Sequence, residues 1–255
     1  MDFTYITELV VEAGKLAFRD DLRDAVSVKG KSDFVTQVDI SISSFLKERL
    51  KKVDPSVGFF SEEERGALSD PCWILDPIDG TTNLIFGYNL SSVSLALYRD
   101  GAVRFGVVYN PFTKECFTAE EGRGAWLDGK RLSVSRRQMS EALIEFGAGS
   151  THKENTEVNF EIAKAIFRQC LDVRRICSSA LDLCYIAAGR IDGYFEKVLK
   201  PWDVAAGSLI LTEAGGTITD YNGRPLQFAA PTSVIAGNGI VNSVIKDTIK
   251  AGGVI

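Results

Sequence analysis

A mixed α+β and α/β chain, folded as one compact unit around two sheets, is the architecture the sequence predicts. Three observations predict it. Apolar residues recur at helical spacing between Ile6 and Val53, they alternate with a period of two from Ser91 to Val134, and from Leu143 onward strand-type and helix-type runs take turns. At 255 residues the chain is long enough for one large domain or two closely packed halves. No linker rich in proline, glycine or serine separates them. The halves are placed at 1–140, with two helices and an antiparallel sheet, and at 141–255, the α/β half.

Each element has its own signal. Ile6, Leu9, Val10, Ala13, Leu16 and Ala17 form the first helical stripe, and Val38, Ile42, Phe45, Leu46, Leu50 and Val53 the second, with Asp39 one residue off its buried line. Residues 57–60 form a short strand that runs into Ser61-Glu62-Glu63-Glu64, and Trp73 to Leu75 form another that delivers Asp76 at its end. Val93, Leu95 and Leu97, then Val103, Phe105 and Val107, are alternating strands joined by the tight turn Asp100-Gly101. Strands follow at 116–119 and 124–127, and at 132–134 past the turn Asp128-Gly129. The second half reads as strand 143–146, helix 158–167, strand 173–176, helix 179–188, strand 193–195 and helix 204–214, then strands 216–219 and 234–236 and helix 241–250.

Composition narrows the function. Hydrophobic residues at 45% and charged residues at 25% are ordinary for a soluble globular protein. A net charge of -5 makes nucleic acid an unpromising main partner, while leaving room for a local site that takes a small phosphate. Five cysteines, odd in number and lacking a Cys-x-x-Cys pair, fit reduced thiols in a cytoplasmic protein. With one histidine, His152, a zinc site or a Ser-His-Asp triad is poorly supplied. No apolar run reaches the ~18 residues that a membrane span needs, and the opening Met1-Asp2-Phe3 resembles no secretion signal.

The most informative stretch is Trp73-Ile74-Leu75-Asp76-Pro77-Ile78-Asp79-Gly80-Thr81-Thr82-Asn83. Asp76 and Asp79 stand close together on a backbone stiffened by Pro77, and they repel each other unless a cation lies between them. A plain turn needs only one such acid. Oxygen-only donors favour a hard ion such as Mg²⁺ over zinc or copper. Gly80 permits close backbone approach, Thr81 adds a hydroxyl, and the amides that open a helix toward Leu84, Ile85 and Phe86 can face a phosphate. Glu62 follows the strand at 57–60, and Asp203 lies in Lys200-Pro201-Trp202-Asp203, where an apolar helix opens. Taken singly, Asp203 reads as a helix cap and Glu62 as a solvated loop charge. Ser178 and Ser179 open another helix and offer a second anion contact, although serines there are usually caps.

These motifs resemble those of the inositol monophosphatase family of Mg²⁺-dependent, lithium-sensitive phosphatases, over nearly the whole chain. The first family motif is Trp73 to Asn83, and the second is Trp202-Asp203-Val204-Ala205-Ala206-Gly207, continued by Thr212-Glu213-Ala214-Gly215-Gly216. Asp33-Phe34-Val35-Thr36-Gln37-Val38-Asp39 and the pair Glu62-Glu63 precede them in the expected order. The resemblance implies a layered αβαβα sandwich of the sugar-phosphatase type, assembled as a homodimer, with two or three Mg²⁺ ions per subunit. Glu62, Asp76 and the backbone carbonyl of Ile78 would hold the first ion, Asp76, Asp79 and Asp203 the second, and a third, weaker ion would share Glu62. Asp39, Glu62 and Thr81 would be catalytic, with Asp39 polarising the Thr81 hydroxyl, which orients the attacking water. Asp79, Gly80, Thr81, Ser178, Ser179, Glu196 and Asp203 would touch the substrate, Glu196 through its alcohol part.

The implied reaction is hydrolysis of a small phosphate monoester, myo-inositol 1-phosphate first, by metal-activated water. Fructose 1,6-bisphosphate and nucleotide phosphates are the alternatives within the family, and Thr82-Asn83 fits the inositol branch better than the Lys-Glu of bisphosphate nucleotidases. A haloacid dehalogenase arrangement is excluded by spacing, since Asp76 and Asp79 are one residue too far apart for Asp-x-Asp. A regulator that binds protein or RNA is the reading from a different class. Cys177-Ser178-Ser179 replaces the Gly-Thr-Ala of well-known inositol phosphatases on the segment that faces the leaving group, so the alcohol stays open while the phosphate chemistry does not.

Overall fold

The computed structural model describes residues 2–23, 25–30, 33–64, 66–149 and 152–253, so Met1 lies outside the described residues. Helix α1 (Phe3–Gly14) opens on Asp2, whose carboxylate accepts the amides of Thr4 and Tyr5, and α2 (Asp20–Arg23) is a single turn. Strands β1 (Val26–Gly30) and β2 (Asp33–Thr36) then pair as an antiparallel hairpin. The sequence reading has no strands here, because the alternation Val26-Ser27-Val28-Lys29 is only four residues long and Phe34-Val35 does not continue it. Helix α3 (Gln37–Val53) is the predicted second stripe.

Next come β3 (Gly58–Ser61), β4 (Cys72–Asp79), the short helix α4 (Thr81–Ile85), β5 (Ser92–Arg99), β6 (Ala102–Asn110), β7 (Glu115–Glu120), β8 (Gly124–Leu127) and β9 (Lys130–Arg131). The seven strands β3 to β9 form one sheet in chain order, parallel between β3 and β4 and antiparallel elsewhere. Two expectations shift. The strand ending at Leu75 continues to Asp79, and the last strand is Lys130–Arg131 and not 132–134. Leu132 and Val134 instead donate single backbone bonds to Ala125 and Ala214, which hold the chain without extending the sheet.

The remainder is β10 (Leu143–Phe146), α5 (Thr156–Phe167), β11 (Asp172–Arg174), α6 (Ser179–Ala187), β12 (Gly193–Leu199), α7 (Pro201–Glu213), β13 (Thr217–Thr219), β14 (Thr232–Gly237) and α8 (Asn242–Ala251). Its five-stranded sheet runs β11-β10-β12-β14-β13, parallel about β10 and antiparallel about β14.

Three cores stack these pieces into five layers. Ile6, Leu9, Val10, Ile42, Leu46 and Leu50 of α1 and α3 pack on Trp73, Leu75, Leu95 and Val107 of the first sheet. That sheet's other face, with Ile74, Ala96, Val108 and Phe117, meets α6 and α7, whose far side meets Tyr194, Val234 and Ala236 of the second sheet. The outer face of the second sheet, with Ile144, Phe195 and Ile235, is covered by Ile162 and Ile166 of α5 and Ile245 and Ile249 of α8. The order is therefore αβαβα. Helix α7 is apolar nearly all round because it is buried between sheets. Gly106 on β6 lets it in close, since a Cβ there would sit 2.8 Å from the carbonyl oxygen of Ala206.

Candidate active site and metal centre

The site begins with an irregularity in β4. Asp76 pairs with Ser94 and Asp79 with Ser92, so three residues of advance on β4 match two on β5. In a regular strand, residues three apart point to opposite faces; the extra residue re-aims one of them. Pro77, which has no N–H to donate to the ladder, sits inside this bulge. Asp76, Ile78 and Asp79 consequently line one cavity of about 310 Å³. Gly80 follows with φ of +86°, and a Cβ there would also approach the carbonyl oxygens of Leu90 at 3.0 Å and Cys177 at 3.2 Å. Only glycine meets both demands. Helix α4 has no side-chain cap, so its first amides remain available to a ligand.

Thr81 lies at the start of α4, where its hydroxyl faces the carbonyl oxygen of Ile78 at 3.0 Å and Asp39 Oδ1 at 3.3 Å. Asp39 stays behind it, 1% exposed, with Oδ2 held by the amide and hydroxyl of Thr36. The same carboxylate thus caps α3 and reaches the site.

The second half supplies the opposite wall. Asp203, in the first turn of α7, accepts the Lys200 amide at 2.7 Å and lines the cavity. It caps the helix, and from that position it also lines the cavity. Ser178 is fully buried and donates its hydroxyl to Asp79 Oδ2 at 2.6 Å, beside the Ala180 amide at 2.8 Å. It neither caps α6 nor lines the cavity, and its one proton goes to Asp79, so its expected contact with the substrate has no counterpart in this cavity lining. Ser179 does line the cavity and meets the Tyr194 hydroxyl at 3.1 Å. Tyr194 donates to Glu196 Oε2, and the Gly149 amide donates to Glu196 Oε1 at 3.1 Å. Asn83 ties the halves together by donating to the carbonyls of Leu90 at 2.7 Å and Ile176 at 2.6 Å.

Electrostatics mark the acidic end as built for a cation. Burial, then the charges of Glu62, Asp79, Asp203 and Asp39, push the Asp76 carboxyl well above the usual carboxylate range. Burial and the neighbouring Asp79 raise Asp203 likewise. Burial lifts Asp79 to about 6 against the pull of its bonds from Ser178 and Ala180, and it lifts Asp39 to about 6 against those from Thr36. Asp76 Oδ1 is buried with no hydrogen-bond partner, as are the hydroxyls of Ser92 and Ser94 across from the two acids. A buried, unpaired carboxylate among like charges is costly, and a hard cation relieves both costs at once. The donor set fits Mg²⁺. Among the described residues, no three acidic, histidine or cysteine side chains lie close enough together to hold a metal ion by themselves.

Glu62, Asp76, Ile78, Asp79, Gly80, Thr81, Ser179, Glu196 and Asp203 all line this cavity. So do Arg175, Asp182 and His152, to which the sequence reading gives no role. Asp182 is masked in the apolar run Ala180-Leu181-Asp182-Leu183, and Arg175 follows another arginine. All five cysteines are unpaired, with Cys177 at the site in a left-handed conformation, φ of +59°. Among the described residues no helix is long and apolar enough to cross a membrane.

The model of the inositol monophosphatase family matches residues 4–251. The inositol-1-monophosphatase of Rhizobium meliloti is 37% identical over 96% of this chain and 94% of its own length. The Nus factor SuhB of Escherichia coli strain K12 is 38% identical over 89% of this chain and 87% of its own. Among solved structures, the extragenic suppressor protein suhB of Bartonella henselae superposes with a TM-score of 0.91 at 35% identity, covering 98% of both chains. The chain belongs to the inositol monophosphatase family and is a hydrolase of the phosphatase type.

Proposed function

We propose that this protein hydrolyses a small phosphate monoester with Mg²⁺ as cofactor, and that myo-inositol 1-phosphate is its first substrate. The observation that carries the reading is the buried Asp76 carboxyl, unpartnered at Oδ1 and crowded by Glu62, Asp79 and Asp203, beside uncapped amides at Gly80 and Thr81.

In this reading Glu62, Asp76 and the Ile78 carbonyl would hold one Mg²⁺, Asp76, Asp79 and Asp203 would hold a second, and a weaker third would share Glu62. When bound, the ions neutralise the phosphate dianion and lower the pKa of the attacking water. The amides of Gly80 and Thr81 bind phosphate oxygens. Thr81 Oγ1 gives its proton to the bond with Asp39, which leaves its lone pairs to accept a hydrogen bond from that water and aim it at phosphorus. Burial raises the Asp39 carboxyl to about 6, while the hydrogen bonds from Thr36 favour its ionised form. Ser178 holds Asp79 in place, while Ser179 and Glu196 face the alcohol. Water attacks directly and no phosphoryl-enzyme forms.

The reading also carries lithium sensitivity, a homodimer and a cytoplasmic location, each supported by family membership. It treats 1–140 and 141–255 as two halves of one unit, supported by the break between β9 and β10. A second reading, a regulatory role as a Nus factor, is favoured by the names of relatives and is compatible with an intact acid set. Phosphate release with and without Mg²⁺ tests the proposal. Mg²⁺-dependent release from inositol 1-phosphate is expected. Release from none of inositol 1-phosphate, fructose 1,6-bisphosphate and a nucleoside phosphate contradicts it and favours regulation.

A further inference from the structure

The outermost helical layer carries a cavity that the active site does not use. Between α5 and α8 runs an open groove of about 730 Å³. Buried Ile162 and half-buried Val158 and Val244 form its floor. Glu157 and Glu161 on α5 and Asp247 on α8 line it too, and all three are exposed, so acids border the apolar floor on both helices.

Every charged residue that lines the groove is acidic. Glu161 is paired with Lys164 at 3.1 Å, whereas among the described residues Glu157 and Asp247 form no ion pair. Such a rim repels an anionic lipid surface or a nucleic acid and favours a cationic partner. A purely apolar occupant would draw the acids out of water without pairing them, which is costly. A small cation would leave the apolar floor wet. The occupant that meets both demands carries apolar side chains on one face and positive charges beside them, as an amphipathic helix in a groove does.

We propose that the α5–α8 groove is a docking site for a short, basic amphipathic segment of another protein. Leucine, isoleucine or valine side chains of that segment rest on Val158, Ile162 and Val244, and its lysines or arginines meet Glu157, Glu161 and Asp247. The groove shares no lining residue with the catalytic cavity. This function therefore goes beyond the phosphatase reading and does not depend on it.

The experiment selects a display library of random peptides, each long enough for about four helical turns, on the full chain. Enriched peptides are expected to carry lysine or arginine beside leucine, isoleucine or valine at helical spacing. The best of them should slow amide exchange in α5 and α8. In fluorescence anisotropy, the double variant Glu157→Lys with Asp247→Lys should bind that peptide about tenfold more weakly. Glu8→Lys with Glu12→Lys on α1 changes net charge equally and should stay within about twofold. All four positions are exposed, and melting curves verify that both variants fold. No enrichment, enrichment of acidic or uncharged peptides, protection outside α5 and α8, or equal weakening by the α1 variant would overturn the inference. A dimer in sedimentation that only the groove variant dissolves would assign the groove to a second copy of the chain and overturn it as well.

Discussion

The two halves of the molecule contribute acids in different states. On β4, the first half presents Asp76 with an orphaned oxygen, on a strand kept in place by β3 and β5 and bent by a bulge at Pro77. On α7 and β12, the second half presents Asp203 and Glu196 already engaged by the amides of Lys200 and Gly149. Asp79 belongs to the first half but is held by Ser178 and Ala180 of the second. An under-satisfied carboxylate gains most from a cation, whereas a hydrogen-bonded carboxylate is already held in one orientation toward it. In the proposed reading the site divides charge from aim: the sheet supplies a cost that a metal would relieve, and the helices and second sheet would supply alignment.

The strongest break in that comparison is Asp76→Asn. Electrostatic stabilisation by metal is worth several kcal/mol, so kcat/KM should fall roughly a thousandfold, at about a decade for each ~1.4 kcal/mol. The metal-free protein should melt higher than wild type, because a buried repulsive charge is gone. A lower melting temperature without metal would mean that Asp76 is structurally satisfied. Thr81→Ala sharpens the aiming half. Turnover should drop by about a hundredfold, within the range of proton-positioning groups, with Mg²⁺ affinity in calorimetry kept. Lost Mg²⁺ binding would place Thr81 among the ligands.

A smaller effect lies in the pH dependence of stability. Burial lifts Asp39 and Asp79 to about 6 from the ordinary aspartate value of 3.8. Between those values the folded chain holds protons that the unfolded chain has released, so metal-free stability falls as pH rises through this window. The chelated protein should melt higher at pH 5 than at pH 7.5, with Mg²⁺ narrowing the gap. A melting temperature that rises with pH would show that these two carboxyls do not govern stability.

Much of this was legible beforehand, for physical reasons that differ by region. Asp76 and Asp79 were readable because two acids so close on a stiff backbone need a third party, and Gly80 because no other residue suits that turn. The five layers were not readable from periodicity: a helix buried on all sides, such as α7, has no polar stripe to orient it. The strand ending at Leu75 was cut short because Pro77 ordinarily stops a strand, and the bulge that lets it continue depends on β5. The hairpin β1–β2 carries only a four-residue alternation, Val26-Ser27-Val28-Lys29, too short to announce a strand. Asp182 stayed hidden because an acid within an apolar helical run looks like a lapse in pattern, and only the fold brings it to the cavity.

The central claim is that carboxylates from both halves share one metal cluster. An anomalous difference map from crystals grown with Mn²⁺ in place of Mg²⁺ tests it most directly. The account predicts peaks at the foot of the cavity in contact with Asp76, with one of them also touching Asp203. Peaks that leave Asp203 uncoordinated, or none beside Asp76, would contradict it.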